Sequence, residues 1–272
     1  MPKSGTAAVS TEQNPPVVSS RLARWFGRYL RRYFARHFDA IRLSGEEGLA
    51  TIDDAPLVIY TNHPSWWDPI LFMLLSQEVF PDKTAYGPMD SAALEKYGFL
   101  TKLGVFGVEQ GTRAGVIQFL SMGESILKSD GSTLWITAEG RFTDPRRRPV
   151  DLRPGLSHLV RRVGKVTAIP LAVEYTFWNE RLPEILVRFG ESVDFTEADR
   201  SKSVTEITER LNRNLESTLD ELESLAVERD PSLFRTLLLG RSGIGGIYDS
   251  WRRLRANAQG KSFDASHGGR GS

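Results

Sequence analysis

The apolar run Leu57-Val58-Ile59-Tyr60, the polar stretch Asn62-His63-Pro64-Ser65-Trp66-Trp67-Asp68-Pro69 and the run Ile70-Leu71-Phe72-Met73-Leu74-Leu75 decide how this chain is read. Four consecutive β-prone apolar residues predict a buried strand. Asp68 and Pro69 ahead of six apolar residues predict an N-cap, a proline at the first helical position and a buried helix. His63 and Asp68 then share one tight strand-to-helix turn. If that turn folds back, the Asp68 carboxylate accepts a hydrogen bond from one imidazole nitrogen and leaves the other free to take a proton. Such a pair of base and orienter activates a hydroxyl or thiol for attack without a nucleophilic side chain of its own. The alternative is a helix cap beside a satisfied histidine, and the turn alone does not separate the two.

Further along, strands and helices alternate. Val105–Val108 and Thr133–Thr137 read as short strands, and Asp90 opens a helical stretch that ends near Gly104. Arg113–Lys128 reads as a helix stopped by Ser129-Asp130-Gly131. Pro154–Val163 forms a short helix, with His158 structural. Val166–Tyr175 reads as a strand interrupted by Pro170, and Ile185–Phe189 as another. Ser203-Val204-Thr205-Glu206 matches a capping box and opens a helix with Ile207, Leu211, Leu215, Leu219 and Leu222 on one face. The alternation predicts an α/β fold: a mixed, largely parallel sheet flanked by helices.

Amphipathic helices are expected at both ends. In residues 21–41, Leu22, Trp25, Phe26, Tyr29, Leu30, Tyr33, Phe34, Phe38 and Ile41 recur at helical spacing, opposite Arg21, Arg24, Arg28, Arg31, Arg32 and Arg36. A helix that is aromatic on one side and cationic on the other suits an anionic membrane surface, or it docks on its own domain and leaves the arginines solvated. In residues 231–256, Ile244, Ile247, Tyr248 and Trp251 share a face followed by Arg252, Arg253 and Arg255, a second interfacial or domain-covering element. Residues 1–20 and 257–272 read as a disordered leader and tail around an enzyme domain at 42–230.

With 272 residues the chain buries a full core, and one domain with appendages is expected. A net charge of +1 argues against a general polyanion or nucleic-acid binder, so anion chemistry falls to local arginine clusters. The absence of cysteine excludes disulfides, thiol nucleophiles and cysteine metal sites, and fits a cytosolic setting. No stretch approaches the roughly 18 consecutive apolar residues of a membrane span.

Together these pieces resemble the glycerolipid acyltransferases, the family that includes 1-acylglycerol-3-phosphate acyltransferase, over residues 57–190. Asn62, His63 and Asp68 fill the family's first motif. Gly104-Val105-Phe106-Gly107-Val108-Glu109-Gln110 fits the second, with Gln110 where an arginine is expected and Arg113 three residues on. Glu139-Gly140-Arg141-Phe142 corresponds to the third, with its arginine one place early, and Ile169-Pro170-Leu171-Ala172 to the fourth.

The resemblance implies that His63 is the general base oriented by Asp68. The donor would be acyl-CoA or acyl-carrier protein, the acceptor a lysophospholipid, and no cofactor or metal would be needed. Arg141 is the first candidate for an acceptor phosphate and Arg113 a weaker one; Glu139 orients that arginine or the loop, and Gly140 admits close backbone approach. Arg146-Arg147-Arg148 binds phosphate or the donor's nucleotide portion, or is a solvated basic loop. Trp66 and Trp67 line an acyl passage, rest at the lipid interface or pack in the core. The expected setting is peripheral, on the cytoplasmic face of a membrane. Three alternatives stay open: the same chemistry on a glycolipid or terpenoid alcohol, a catalytically silent lipid-binding protein, and a thioesterase in which water replaces the acceptor alcohol.

Overall fold

The structure, a computed structural model, describes residues 14–51 and 56–240. Among them run the strands β1 (Ala40–Ser44), β2 (Leu57–Thr61), β3 (Thr84–Asp90), β4 (Val105–Val108), β5 (Ser132–Thr137), β6 (Val166–Thr176), β7 (Glu184–Phe189), β8 (Val193–Phe195) and β9 (Arg235–Leu239). The helices are α1 (Ser20–His37), α2 (Asp68–Val79), α3 (Ser91–Lys96), α4 (Arg113–Leu127), α5 (Gly155–Val163) and α6 (Val204–Glu228). The strands form one sheet in the order β4-β3-β5-β2-β6-β7-β1-β9, with β8 continuing the line of β7 along β6. Five pairings are parallel (β1 with β7, β2 with β5 and β6, β3 with β4 and β5), and three are antiparallel. The mixed, largely parallel sheet flanked by helices is therefore present.

A strand covered by helices on both faces reads as a continuous apolar run rather than an alternation, and β2 is such a strand. Val58 and Tyr60 join the core beneath α4, α5 and α6, with Ile126, Leu159, Leu211 and Leu215. Leu57 and Ile59 join the opposite core, beneath α1 and α2, with Leu30, Phe34, Leu71 and Leu74. Full burial of one such side chain stabilises the fold by about 1.5–3 kcal/mol. The capping box at Ser203 and Glu206 forms as expected.

Four sequence expectations change. The helix expected over 21–41 ends at His37, and Ala40 and Ile41 belong to β1, paired with Glu184 and Ile185 of β7. The helix expected from Asp90 toward Gly104 is the six-residue α3, capped by the Asp90 carboxylate, followed by a 3-10 segment over Gly98–Leu103. Pro170 does not interrupt β6. Its missing N–H faces the side of β7 and β8, where the pairing breaks between Phe189 and Val193, while its carbonyl accepts from Gly190. Leu237-Leu238-Leu239 lies in β9, an edge strand antiparallel to β1, so the enzyme domain continues past 230. The rest of the expected C-terminal amphipathic element, with Ile244, Ile247, Tyr248 and Trp251, and the tail at 257–272 lie outside the described residues, as does most of the leader.

Candidate active site

β2 ends at Thr61, and the turn to α2 begins with Asn62. Its side-chain amide donates to the Val173 carbonyl and its carbonyl oxygen accepts from the Val173 N–H, both at 2.9 Å. One asparagine thus continues β2's hold on β6 beyond the last backbone pair, Thr61 with Leu171. His63 follows, its Nδ1 2.6 Å from Asp68 Oδ2. Asp68 is 0% exposed, and a buried carboxylate is costly unless its lone pairs are used. They are used: Oδ2 also accepts from the Ser65 N–H at 3.0 Å, and Oδ1 accepts from the Tyr175 hydroxyl at 2.6 Å. An ionised carboxylate only accepts, so Nδ1 carries the shared hydrogen and Nε2 is left free. The expectation that Asp68 is the N-cap is corrected by this geometry. Trp67 holds the cap position without a side-chain bond, and the carboxylate turns back onto Ser65 and His63 instead.

The loop after β5 closes over this turn. Ala138 N–H donates to the Thr61 carbonyl at 3.1 Å and Thr143 N–H to the His63 carbonyl at 3.0 Å. Glu139 is buried beneath, and burial pushes its carboxyl above the ordinary range while hydrogen bonds from the Thr143 side chain and the His63 backbone, with the charge of Arg141, pull the other way. Glu139 is thus bonded both to its own loop, at Thr143, and to the turn, at His63. Gly140 sits at φ 62°, and a Cβ there would meet the Arg153 guanidinium, so its neighbour is a side chain of this chain. Arg141 faces outward and pairs with Asp151 at 2.9 Å. Phe142 comes next to the imidazole instead, with ring centroids 4.3 Å apart. Of the following arginines, Arg146 pairs with Glu174 at 2.9 Å and Arg148 with Asp220 at 2.6 Å. These contacts tie the loop to β6 and α6.

A cavity of about 570 Å³ runs from His63 between α1, α2 and β3. One face of α2 supplies Pro69, Phe72, Met73, Ser76 and Gln77 at helical spacing, and Met89, Trp135 and Phe26 lie across from it. Gln110 lines the same cavity as His63, whereas Arg113 is exposed at the start of α4 and outside the lining. Trp66 and Trp67 are also outside it. Trp67 packs against Tyr33, Phe34 and Phe38 and fixes α1 over the turn; Trp66 stacks on Trp67 at 4.4 Å and is 61% exposed. Gly104, at φ 93°, abuts the Ala85 carbonyl and shapes the entry to β4. The sequence reading missed Tyr175 and the position of Phe142. The only hint was the alternation of β6, which puts Tyr175 on the same face as Val173.

The model of the family described as Acyltransferase matches residues 40–174. Among solved structures, the 1-acyl-sn-glycerophosphate (LPA) acyltransferase PlsC from Thermotoga maritima matches with a TM-score of 0.54 and 15% identity, over 75% of this chain and 80% of that one. At that identity the likeness is one of fold. No curated protein matches the sequence.

Proposed function

The chain belongs to the glycerolipid acyltransferase family, and from that premise we propose that it moves a fatty acyl chain from acyl-CoA or acyl-carrier protein to a hydroxyl of a lipid acceptor. The observation that carries the proposal is the 2.6 Å contact between His63 Nδ1 and Asp68 Oδ2 at the wall of a cavity of about 570 Å³. Ligand pockets commonly measure about 300–1,000 Å³. The acceptor hydroxyl gives its proton to Nε2 as its oxygen attacks the thioester carbonyl. The tetrahedral intermediate then expels the thiolate, which takes that proton back. Asp68 holds the imidazole in the required tautomer and faces the positive charge that develops. A base so placed contributes about 10²–10⁴-fold in rate, and the route needs neither an acyl-enzyme nor a metal.

For the acceptor, a lysophosphatidate is the first reading, by likeness to the Thermotoga maritima 1-acyl-sn-glycerophosphate acyltransferase. Arg141 would leave Asp151 for the phosphate. An exposed pair of this kind is worth only about 0–1 kcal/mol, so the exchange is cheap. A second reading, a glycolipid or terpenoid alcohol, is favoured by the neutral Gln110 on the cavity wall and by Phe142 against His63. The protein would meet either lipid as a peripheral protein on the cytoplasmic face of a membrane. No helix among the described residues is long and apolar enough to cross one. The exposed side of α1 carries Trp25, Tyr29 and five exposed arginines, which suits an anionic surface.

The test is transfer of labelled acyl-CoA to a panel of lysophosphatidate, lysoglycolipid and terpenoid alcohol, by the protein and by His63→Ala. Loss of at least about a hundredfold in the variant is expected. Equal turnover removes His63 from the reaction, and vesicle binding without transfer across the panel favours a silent lipid-binding protein.

A further inference from the structure

The Tyr175 hydroxyl, 2.6 Å from Asp68 Oδ1, is the polar group at the site that the proposed chemistry leaves without a task. Its delivery is specific. β2 pairs with β6 only as far as Leu171, yet β6 continues to Thr176. The overhang is held on the β2 side by the two bonds from Asn62 to Val173. By strand alternation Val173 and Tyr175 share a face, the one covered by α2, and Asp68 stands in the first turn of that helix. The ring packs against Phe38, with centroids 5.9 Å apart, and the hydroxyl reaches the carboxylate oxygen that His63 does not use.

We propose that Tyr175 is a positioning residue for acyl transfer, acting on His63 through Asp68; this rests on the assignment of His63 as the base. Two consequences follow from the geometry. With His63 and the Ser65 N–H on Oδ2 and Tyr175 on Oδ1, the carboxylate cannot rotate about its Cβ–Cγ bond without breaking a bond to a charged acceptor. A donor on Oδ1 also draws negative charge away from Oδ2 and weakens its pull on the imidazolium. The proton received from the acceptor alcohol is then more readily passed to the departing thiolate. Burial, and after it the charge of Asp68, raises the phenol's pKa well above its ordinary value, so it remains a donor wherever the enzyme works.

The test uses the full chain with two changes at one position. Tyr175→Phe keeps the ring and removes the donor. Site-specific 3-fluorotyrosine keeps the fold and strengthens the donor. In Tyr175→Phe, kcat is expected to fall about tenfold with KM for donor and acceptor unchanged. The midpoint of the acid limb of kcat, and that of the His63 imidazole ¹⁵N shifts, are expected to rise by about half to one pH unit. In the fluorotyrosine protein both midpoints are expected to move down. Residue 175 that only fills space would change the melting temperature and leave both midpoints in place. Unmoved midpoints, or shifts of the same sign in the two proteins, overturn the proposal. The ¹⁵N titration needs no substrate. If the unaltered protein transfers no acyl group, the reaction assignment fails while the link from Tyr175 through Asp68 to His63 is still decided.

Discussion

Asp68 receives three donors, the His63 Nδ1–H, the Ser65 N–H and the Tyr175 O–H, and has no access to water. In Asp68→Asn an amide N–H replaces one of the two acceptor oxygens, so either His63 and Ser65 lose their acceptor or the Tyr175 hydroxyl has to turn from donor to acceptor. It is expected to cost about 1–3 kcal/mol of stability, read as a lower melting temperature, and about 10²–10⁴-fold in kcat, read in steady-state transfer. Glu139 carries a different signature. Its carboxyl is held above the ordinary glutamate range, chiefly by burial. Between the ordinary and the raised value the folded state therefore binds more protons than the unfolded chain, so this contribution is complete below the ordinary value and is lost as pH rises through the raised one. The melting temperature of Glu139→Gln relative to the unaltered protein is expected to climb as pH increases across that window; a flat difference would refute it. The pair of His63 and Asp68 was legible in the sequence because a single turn brings its members together. Tyr175 was not, because its approach depends on which strand lies beside β2, and no local pattern encodes that order. The direction of Arg141 was not legible for a local reason: after the left-handed Gly140 the chain turns Arg141 outward to Asp151 and brings Phe142 to His63.

Helix α1 serves two surfaces. Phe26, Leu30 and Phe34 are buried, while Trp25 and Tyr29 on the adjoining side are 56% and 46% exposed. Leu30→Ala is therefore expected to cost about 2–5 kcal/mol in chemical denaturation. Deleting residues 1–41 would also strip Ala40 and Ile41 from β1, so the contribution of α1 to lipid binding is better tested by substitution. Trp25→Ser with Tyr29→Ser, and separately Arg28→Glu with Arg32→Glu, should reduce flotation with anionic vesicles and leave the melting temperature nearly unchanged. Each arginine at such a surface contributes about 1 kcal/mol at moderate salt, so only the arginine pair should weaken the salt dependence. Flotation that is undiminished in both variants would exclude α1 as the anchor. The helical period of this element was plain in the sequence, but its end was not. Phe38 and Ile41 stay in phase with the buried stripe while already serving the entry to β1. β3 went unread for a related reason. Gly87 and Pro88 break any strand pattern, and they are tolerated because the pairing divides there, Thr84–Tyr86 with β5 and Gly87–Asp90 with β4.

Across the whole molecule, β2, β3, β4, β5 and β6 run the same way, and the crevice beyond the carboxyl ends of such strands is where α/β sheets hold ligands. His63, Asp90, Gln110 and Phe142 all arrive there from different strand exits, and Tyr175 from the overhang of β6 beyond its last pair with β2. From that end α2 runs back along the sheet, and the cavity follows it from Pro69 to Gln77. If the cavity takes the chain being transferred, the depth along α2 is a coordinate for its length. Ser76 is 5% exposed and lies seven residues, or about 10 Å, below Pro69. A phenyl ring at 76 would occupy the lower part of the cavity and leave the space beside His63 open. Each methylene denied burial costs about 0.8 kcal/mol, so exclusion of two lowers the specificity constant by about tenfold. Ser76→Phe is therefore expected to reduce kcat/KM for a hexadecanoyl donor by at least that factor while sparing an octanoyl donor, measured with one acceptor and both thioesters. If the cavity instead holds the acceptor's chain, the same substitution shifts acceptor length preference and leaves the donor series parallel. A uniform decline across both series would mean that the cavity takes neither chain.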